Sequence, residues 1–146
     1  MKKLKILFLS FLISCATVDK NQLRISIDLN LQNFKKHLEL NGRKIYLDFV
    51  LFQKDGKPKT FSTTKKLSKN DYLFIEENLK NLNWDKIKDR YVTKDAIMMH
   101  LPPVLISISY LDKKKNVLIL GDIPKEFNFL FKILDPYLIF DFSMLK

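Results

Sequence analysis

The chain has 146 residues with one cysteine and three glycines, and its formal charge is +10. This length supports one domain with a hydrophobic core. A single thiol excludes an internal disulfide and a zinc site built from several cysteines, and three scattered glycines exclude a phosphate-binding glycine loop. The positive residues are mostly lysines scattered along the chain, whereas base and phosphate recognition draws on arginine. We therefore expect a solvated basic surface and no nucleic-acid partner.

The first fifteen residues have the layout of a secretory signal. Lys2, Lys3 and Lys5 precede an apolar run over residues 6–13, which Ser14 and Cys15 follow. A positive segment before an apolar run is typical of exported proteins. As a helix, the run is ~12 Å long, and the hydrocarbon core of a bilayer is ~30 Å thick. The run is therefore not expected to remain as a membrane-spanning helix.

The end of this segment, Leu12-Ile13-Ser14-Cys15, resembles the lipobox of bacterial lipoproteins. A branched apolar residue stands three positions before the cysteine, and a small residue stands directly before it. The resemblance implies a diacylglyceryl group on the sulfur of Cys15, cleavage before Cys15 and attachment to the cell envelope through palmitate-type acyl chains. The alternative is an ordinary signal peptide with an incidental cysteine.

These features divide the chain into three predicted parts. Residues 1–14 are the signal peptide, residues 15–22 are the lipidated cysteine with a polar tether, and residues 23–146 are a single domain. The tether reaches at most ~25 Å when fully extended, so the domain stays near the bilayer.

The first half of the predicted domain is rich in strands. Apolar and polar residues alternate strictly over 23–31, which indicates a strand with one buried face. Residues 32–39 are ambiguous, because Leu31, Phe34 and Leu38 have helical spacing, and we expect a short helix or an irregular loop there. A second strand over 44–53, a turn at Asp55-Gly56 and a third strand over about 59–64 form a hairpin.

The second half begins with the clearest helix. Ser68 and Asp71 resemble a capping box, and Tyr72, Ile75, Leu79 and Leu82 form one apolar stripe. Further helical structure is expected around Trp84, Ile87 and Tyr91. Residues 93–103 form a long connection, and strands over 104–111 and 117–120 form a second hairpin. A last helix should start near Asp122 and Pro124 and stop at Pro136, and residues 138–144 are an apolar tail or a short strand.

The predicted fold class is α+β. We expect an antiparallel sheet of about five strands with two main helices on one face, in the order β-ββ-α-ββ-α. The stretches over residues 66–72, 82–87 and 89–91 are similar to a bacterial domain family of unknown function that occurs in exported proteins. The resemblance implies the same element order and no activity, and the cysteine pair of many members is absent from residues 33–43.

No catalytic signature is present in the sequence. Only two histidines occur, His37 and His100, and no cofactor or metal is expected. The leading prediction is a non-enzymatic, membrane-anchored lipoprotein that presents its domain for protein interaction or an envelope role, with an unidentified envelope protein as the candidate partner. One alternative is a small inhibitor or immunity-type lipoprotein with residues 93–103 as the contact element. Another is an enzyme or ligand binder that uses Asp89, Asp95 and His100.

An apolar group within that connection has two interpretations. Met98 and Met99 lie beside Leu101. They form either an exposed contact patch or part of the core.

Overall fold

The computed structural model describes residues 22–52 and 56–138. The predicted signal peptide, Cys15 and the tether up to residue 21 lie outside these ranges. So do residues 53–55 of the predicted hairpin turn and residues 139–146 of the C-terminal segment. The described residues form seven strands and three α-helices: β1 Arg24–Asn30, β2 Phe34–Asn41, β3 Lys44–Phe52, β4 Pro58–Lys66, α1 Lys69–Asn81, β5 Arg90–Val92, α2 Lys94–Met98, β6 Val104–Tyr110, β7 Lys113–Leu120 and α3 Asn128–Leu138.

The strands form one mixed sheet in the order β4-β3-β2-β1-β6-β7-β5. Neighbouring strands are antiparallel, except that β5 runs parallel to β7 at the edge. Because successive side chains point to opposite sides of a strand, the sheet has two distinct faces. One packs against α1 and α3 and is called the covered face; the other is called the open face.

The hydrophobic core lies between the covered face and the two longer helices. α1 contributes Ile75 and Leu79, and α3 contributes Leu130 and Leu134. Burying a side chain of this size stabilises a fold by roughly 1.5–3 kcal/mol. The sheet contributes the alternating residues Ile25, Ile27, Leu38, Leu40, Ile45, Leu47, Ile106, Ile108, Val117 and Ile119.

The expected sheet of about five antiparallel strands with two helices is wrong, although the α+β class holds. The largest difference is β2, which occupies the segment expected to be a helix or loop. Its alternating buried positions are Lys36, Leu38 and Leu40. A lysine at the first of these positions interrupts the apolar alternation that identifies a strand.

The other differences are two short elements. A 3-10 turn, Trp84–Lys86, confirms the first part of the helical structure expected around Trp84, Ile87 and Tyr91, whereas β5 replaces it at Tyr91. α2 lies inside the expected connection over 93–103. β5 is held by β7 through backbone bonds from Leu118 N–H to Asp89 O at 2.9 Å and from Thr93 N–H to Leu120 O at 3.0 Å. Elements of three and five residues are too short to show a hydrophobic period.

The prediction for α1 is confirmed, whereas that for α3 is wrong at both ends. Ser68 caps α1, and its Oγ accepts from the Asp71 N–H at 3.0 Å and donates to Asp71 Oδ2 at 2.6 Å. A 3-10 turn, Lys125–Phe127, separates Pro124 from the start of α3. Pro136 lies inside α3, two residues before its end. Proline has no N–H to donate to the carbonyl oxygen of Lys132 four residues earlier, so the last turn of α3 lacks one helical hydrogen bond.

Candidate functional site

The sheet has two ends with different surroundings. The chain enters β1 at Arg24, and Gly42 N–H donates to Leu23 O at 2.9 Å in the neighbouring β2–β3 turn. We call this the tether end. At the opposite end of β1, Leu29 pairs with Val104, the first residue of β6. We call this the far end, and α2 lies there because it follows β5 and precedes β6.

An exposed apolar group stands at the far end. Ile97 is 55% exposed, Met98 80% and Met99 69%, and Leu101 is also exposed. We call these four residues the apolar tip. Of the two interpretations of Met98 and Met99, the structure therefore shows the exposed one. Methionine side chains are flexible and polarisable, and they adapt to varied apolar partners.

The tip is held by an ordered helix end. The His100 N–H donates to Ile97 O at 3.3 Å, and the Leu101 N–H donates to Ala96 O at 3.1 Å. This pair of bonds is the Schellman arrangement, which needs a left-handed residue after the helix. His100 supplies it with φ +50°. The histidine therefore has a structural role in shaping the tip.

The three residues considered as a catalytic group do not converge. Asp89 forms an ion pair with Lys115, with Oδ1 and Nζ 2.9 Å apart. Asp95 and His100 belong to the far end, beyond the Thr93–Leu120 bond. The backbone of Asp89 lies beside Leu118, and the extended segment from Asp89 to Thr93 covers ~13 Å. Groups that share a substrate proton must lie within hydrogen-bond reach, so this placement does not support the enzyme alternative.

A polar row crosses the open face, and the sequence prediction missed it. The register aligns Asp28, His37, Asp48 and Ser62 on four neighbouring strands. His37 Nδ1 lies 2.7 Å from Asp28 Oδ1, and Ser62 Oγ donates to Asp48 Oδ1 at 2.6 Å. Recognising the row required β2 to be identified as a strand.

The chemistry of this row is limited. A carboxylate on Nδ1 orients a histidine in many catalytic sites, but a nucleophile must then meet Nε2. No hydrogen bond is found at His37 Nε2 within the described ranges, and no cluster of three metal-ligating side chains occurs there. Both members of the Asp28–His37 pair are more than one-third exposed, so the pair contributes little to stability.

Lys36 is an unusual cation on the covered face. Its side chain is buried, and Nζ donates to the carbonyl oxygen of Leu138 at the end of α3. Burial, with a smaller effect from the nearby charge of Lys65, lowers the pKa of Lys36 to about 8. The burial of Lys36 could not be predicted from the sequence, because a lysine in a polar stretch is normally exposed.

An open cleft of about 740 Å³ lies between the end of α1 and the β6–β7 hairpin. Its lining includes Asn81, Asn83, Trp84, Lys113 and Lys115. The Trp84 indole N–H donates to Leu79 O at 3.1 Å, and Lys113 Nζ lies 5.9 Å from the indole centroid. Trp84 therefore serves the packing of α1 and leaves little aromatic surface for stacking a ligand.

No protein-family model matches the chain, and no curated protein sequence is significantly similar to it. The similarity to a domain family of unknown function therefore stays a prediction, as does the lipobox. Within residues 22–52 and 56–138, no helix has the length and apolar character needed to cross a bilayer.

Proposed function

We propose that the protein is a lipid-anchored, non-enzymatic lipoprotein of the bacterial cell envelope that binds another protein through its apolar tip. The lipobox-like sequence before Cys15 supports the anchor. The arrangement of the domain supports the binding role, because the chain enters the sheet at the tether end and the tip stands at the far end. An anchored domain of this kind carries its contact surface away from its attachment point.

The exposure of the tip is the observation that carries the proposal. Three consecutive apolar side chains, Ile97, Met98 and Met99, are each more than half exposed on an ordered helix end. Single exposed apolar residues are common, but a contiguous group indicates an interaction site. The inhibitor or immunity-type alternative uses the same surface and differs only in that the bound partner is an enzyme or toxin.

The binding role is tested by photo-crosslinking in intact cells. A photoreactive residue at Met98 should give a discrete protein adduct, whereas the same residue at exposed Thr60 on β4 should not. Replacing the neighbouring Met99 with Asp should abolish the adduct, because an unpaired charge is costly in an apolar interface. Identical adduct patterns at positions 98 and 60 would contradict a binding role for the tip.

The anchor is tested separately by Cys15→Ser. Stable anchoring requires two acyl chains or an equivalent second signal, so the variant should leave the detergent phase or accumulate as unprocessed precursor. Unchanged partitioning of a processed variant would contradict lipid attachment at this residue.

A further inference from the structure

We propose that four cations at the tether end form a docking surface for the anionic headgroups of the bilayer. They are Arg24, Lys44, Lys66 and Lys114, and we call them the basic row. The inference rests on the proposed lipid anchor and adds the orientation in which the anchored domain meets the membrane.

The register of the sheet creates the row. Lys66 pairs with Lys44, Lys44 with Asn41, Asn41 with Arg24, Arg24 with Ser109 and Ser109 with Lys114. All six residues are on the open face, and they follow one line across six neighbouring strands. Strands are ~4.8 Å apart, so the line is ~24 Å long. Cations that are scattered in the sequence are thus collected at one edge of the fold.

The positive charges of the basic row are exposed to solvent and are not neutralised by ion pairs among the described residues. All four side chains are exposed, and none takes part in the ion pairs found among the described residues. Lys44 and Lys66 are direct cross-strand neighbours, and like charges in such positions destabilise a sheet. The next row on the open face carries Glu39, which pairs with Ser26, and Asp112 lies in the β6–β7 turn two residues before Lys114. An external anion would relieve the repulsion within the row.

The exit point of the tether places the row beside the membrane. A Cβ on Gly42 would lie 2.7 Å from Gln22 Nε2, so Gln22 lies against the β2–β3 turn between Asn41 and Lys44. Only residues 16–21 separate Gln22 from Cys15. Seven extended links reach at most ~25 Å. Acylation of Cys15 would therefore confine the basic row to the vicinity of the headgroups.

Salt screening restricts the attraction between the domain and an anionic bilayer to the tether end. Electrostatic attraction to an anionic bilayer decays over a Debye length of ~8 Å at physiological ionic strength. Lys35, at the far end of the open face, pairs with Asn30. Asn30 is six residues from Arg24, or ~20 Å along the strand. When the row contacts headgroups, the far end thus lies outside the field and the apolar tip points away from the membrane.

Lysine footprinting of the full-length protein in vesicles tests this orientation. The protein purified from the bacterial envelope is reconstituted into vesicles of phosphatidylcholine alone or with phosphatidylglycerol, and a membrane-impermeant amine-reactive ester labels its lysines. Mass spectrometry follows each lysine in both vesicles. Lys44, Lys66 and Lys114 should react at least about threefold more slowly with phosphatidylglycerol, whereas Lys35 and Lys59 should react equally in both. High salt should remove the difference.

Two matched charge-reversal variants test which surface causes the protection of lysines from labelling. Lys44→Glu with Lys66→Glu should abolish the protection of Lys114. The control, Lys35→Glu on β2 with Lys59→Glu on β4, both at the far end, should retain it. Equal labelling in both vesicles, or equal protection of Lys35 and Lys59, would overturn the proposal. The same spectra report the acyl mass on Cys15, so a missing anchor is distinguished from a missing docking surface.

Discussion

Ala96 packs directly against the backbone of Gly121. A Cβ at Gly121 would lie 2.9 Å from the Cβ of Ala96 and closer still to Oγ1 of Thr93. Gly121 also has φ +108°, a conformation that L side chains rarely adopt. This contact seats α2, and thus the apolar tip, on the turn after β7.

Gly121→Ala should displace α2 and destabilise the fold by about 2–3 kcal/mol, since backbone strain and a steric clash act together. Urea unfolding measures the loss. Gly56→Ala is the matched control, because Gly56 has φ +79° with no atom within 4 Å of an added Cβ. The control should lose only the strain component of about 1 kcal/mol. Equal losses of unfolding free energy in both variants would show that α2 is not close-packed against Gly121.

Lys36 should make stability rise with pH between about 8 and 10.5. In this window the folded chain has released the Lys36 proton while the unfolded chain retains it, and excess protons on the unfolded state mean that stability increases with pH. Urea unfolding at pH values of about 7 and about 9.5 measures the rise. Lys36→Met should abolish it and raise stability at the lower pH by about 1 kcal/mol.

The exposed neighbour provides the control for that experiment. Lys35→Met should preserve the pH-dependent rise, because Lys35 lies on the open face. If the full rise of stability with pH persists in Lys36→Met, a titratable group other than Lys36 causes it.

Tyr110 connects the end of β6 to α1. Its hydroxyl donates to Glu76 Oε1 at 3.2 Å, and burial together with the Glu76 carboxylate raises the pKa of Tyr110 to about 12. Tyr110→Phe should cost about 1–2 kcal/mol, because it leaves the carboxylate without this donor. Exposed Tyr46→Phe should change stability by no more than about 0.5 kcal/mol. Similar effects of the two substitutions in chemical denaturation would exclude a stabilising role for the bond.

The apolar tip should be dispensable for folding. Met98→Ser combined with Met99→Ser should leave the free energy of unfolding within about 0.5 kcal/mol of the wild type, since both side chains are exposed. By contrast, Ile75→Ala in α1 should cost about 2–5 kcal/mol through cavity formation. Thermal and urea unfolding of both variants provide the comparison. A large loss in the methionine variant would place these side chains in the folding core.

The sequence predicted those elements whose burial follows a simple period. β1 alternates strictly, and α1 has both an apolar stripe and the Ser68 cap. β2 was not predicted, because a lysine, Lys36, occupies one of its buried positions. In addition, the i, i+4 spacing of Phe34 and Leu38 fits one face of a helix as well as one face of a strand. A pattern based on polarity cannot identify a buried lysine that is satisfied by a carbonyl distant in sequence.

The candidate surfaces were partly visible in the sequence. Met98 and Met99 were recognised as an apolar group, but their exposure depends on how α2 sits on Gly121. The Asp28–His37 pair depends on the register of β1 with β2, and the basic row depends on the register of the six neighbouring strands from β4 to β7. Register is set by the buried face and the turns, so these groupings required the three-dimensional fold.

We propose that acyl chains on Cys15 hold the domain at the membrane. The decisive measurement is the intact mass of the mature protein purified from the bacterial envelope. We expect a chain that begins at Cys15 and carries the mass of a diacylglyceryl group, with or without a further acyl chain. A retained leader, or a mature chain without acyl mass, would contradict it.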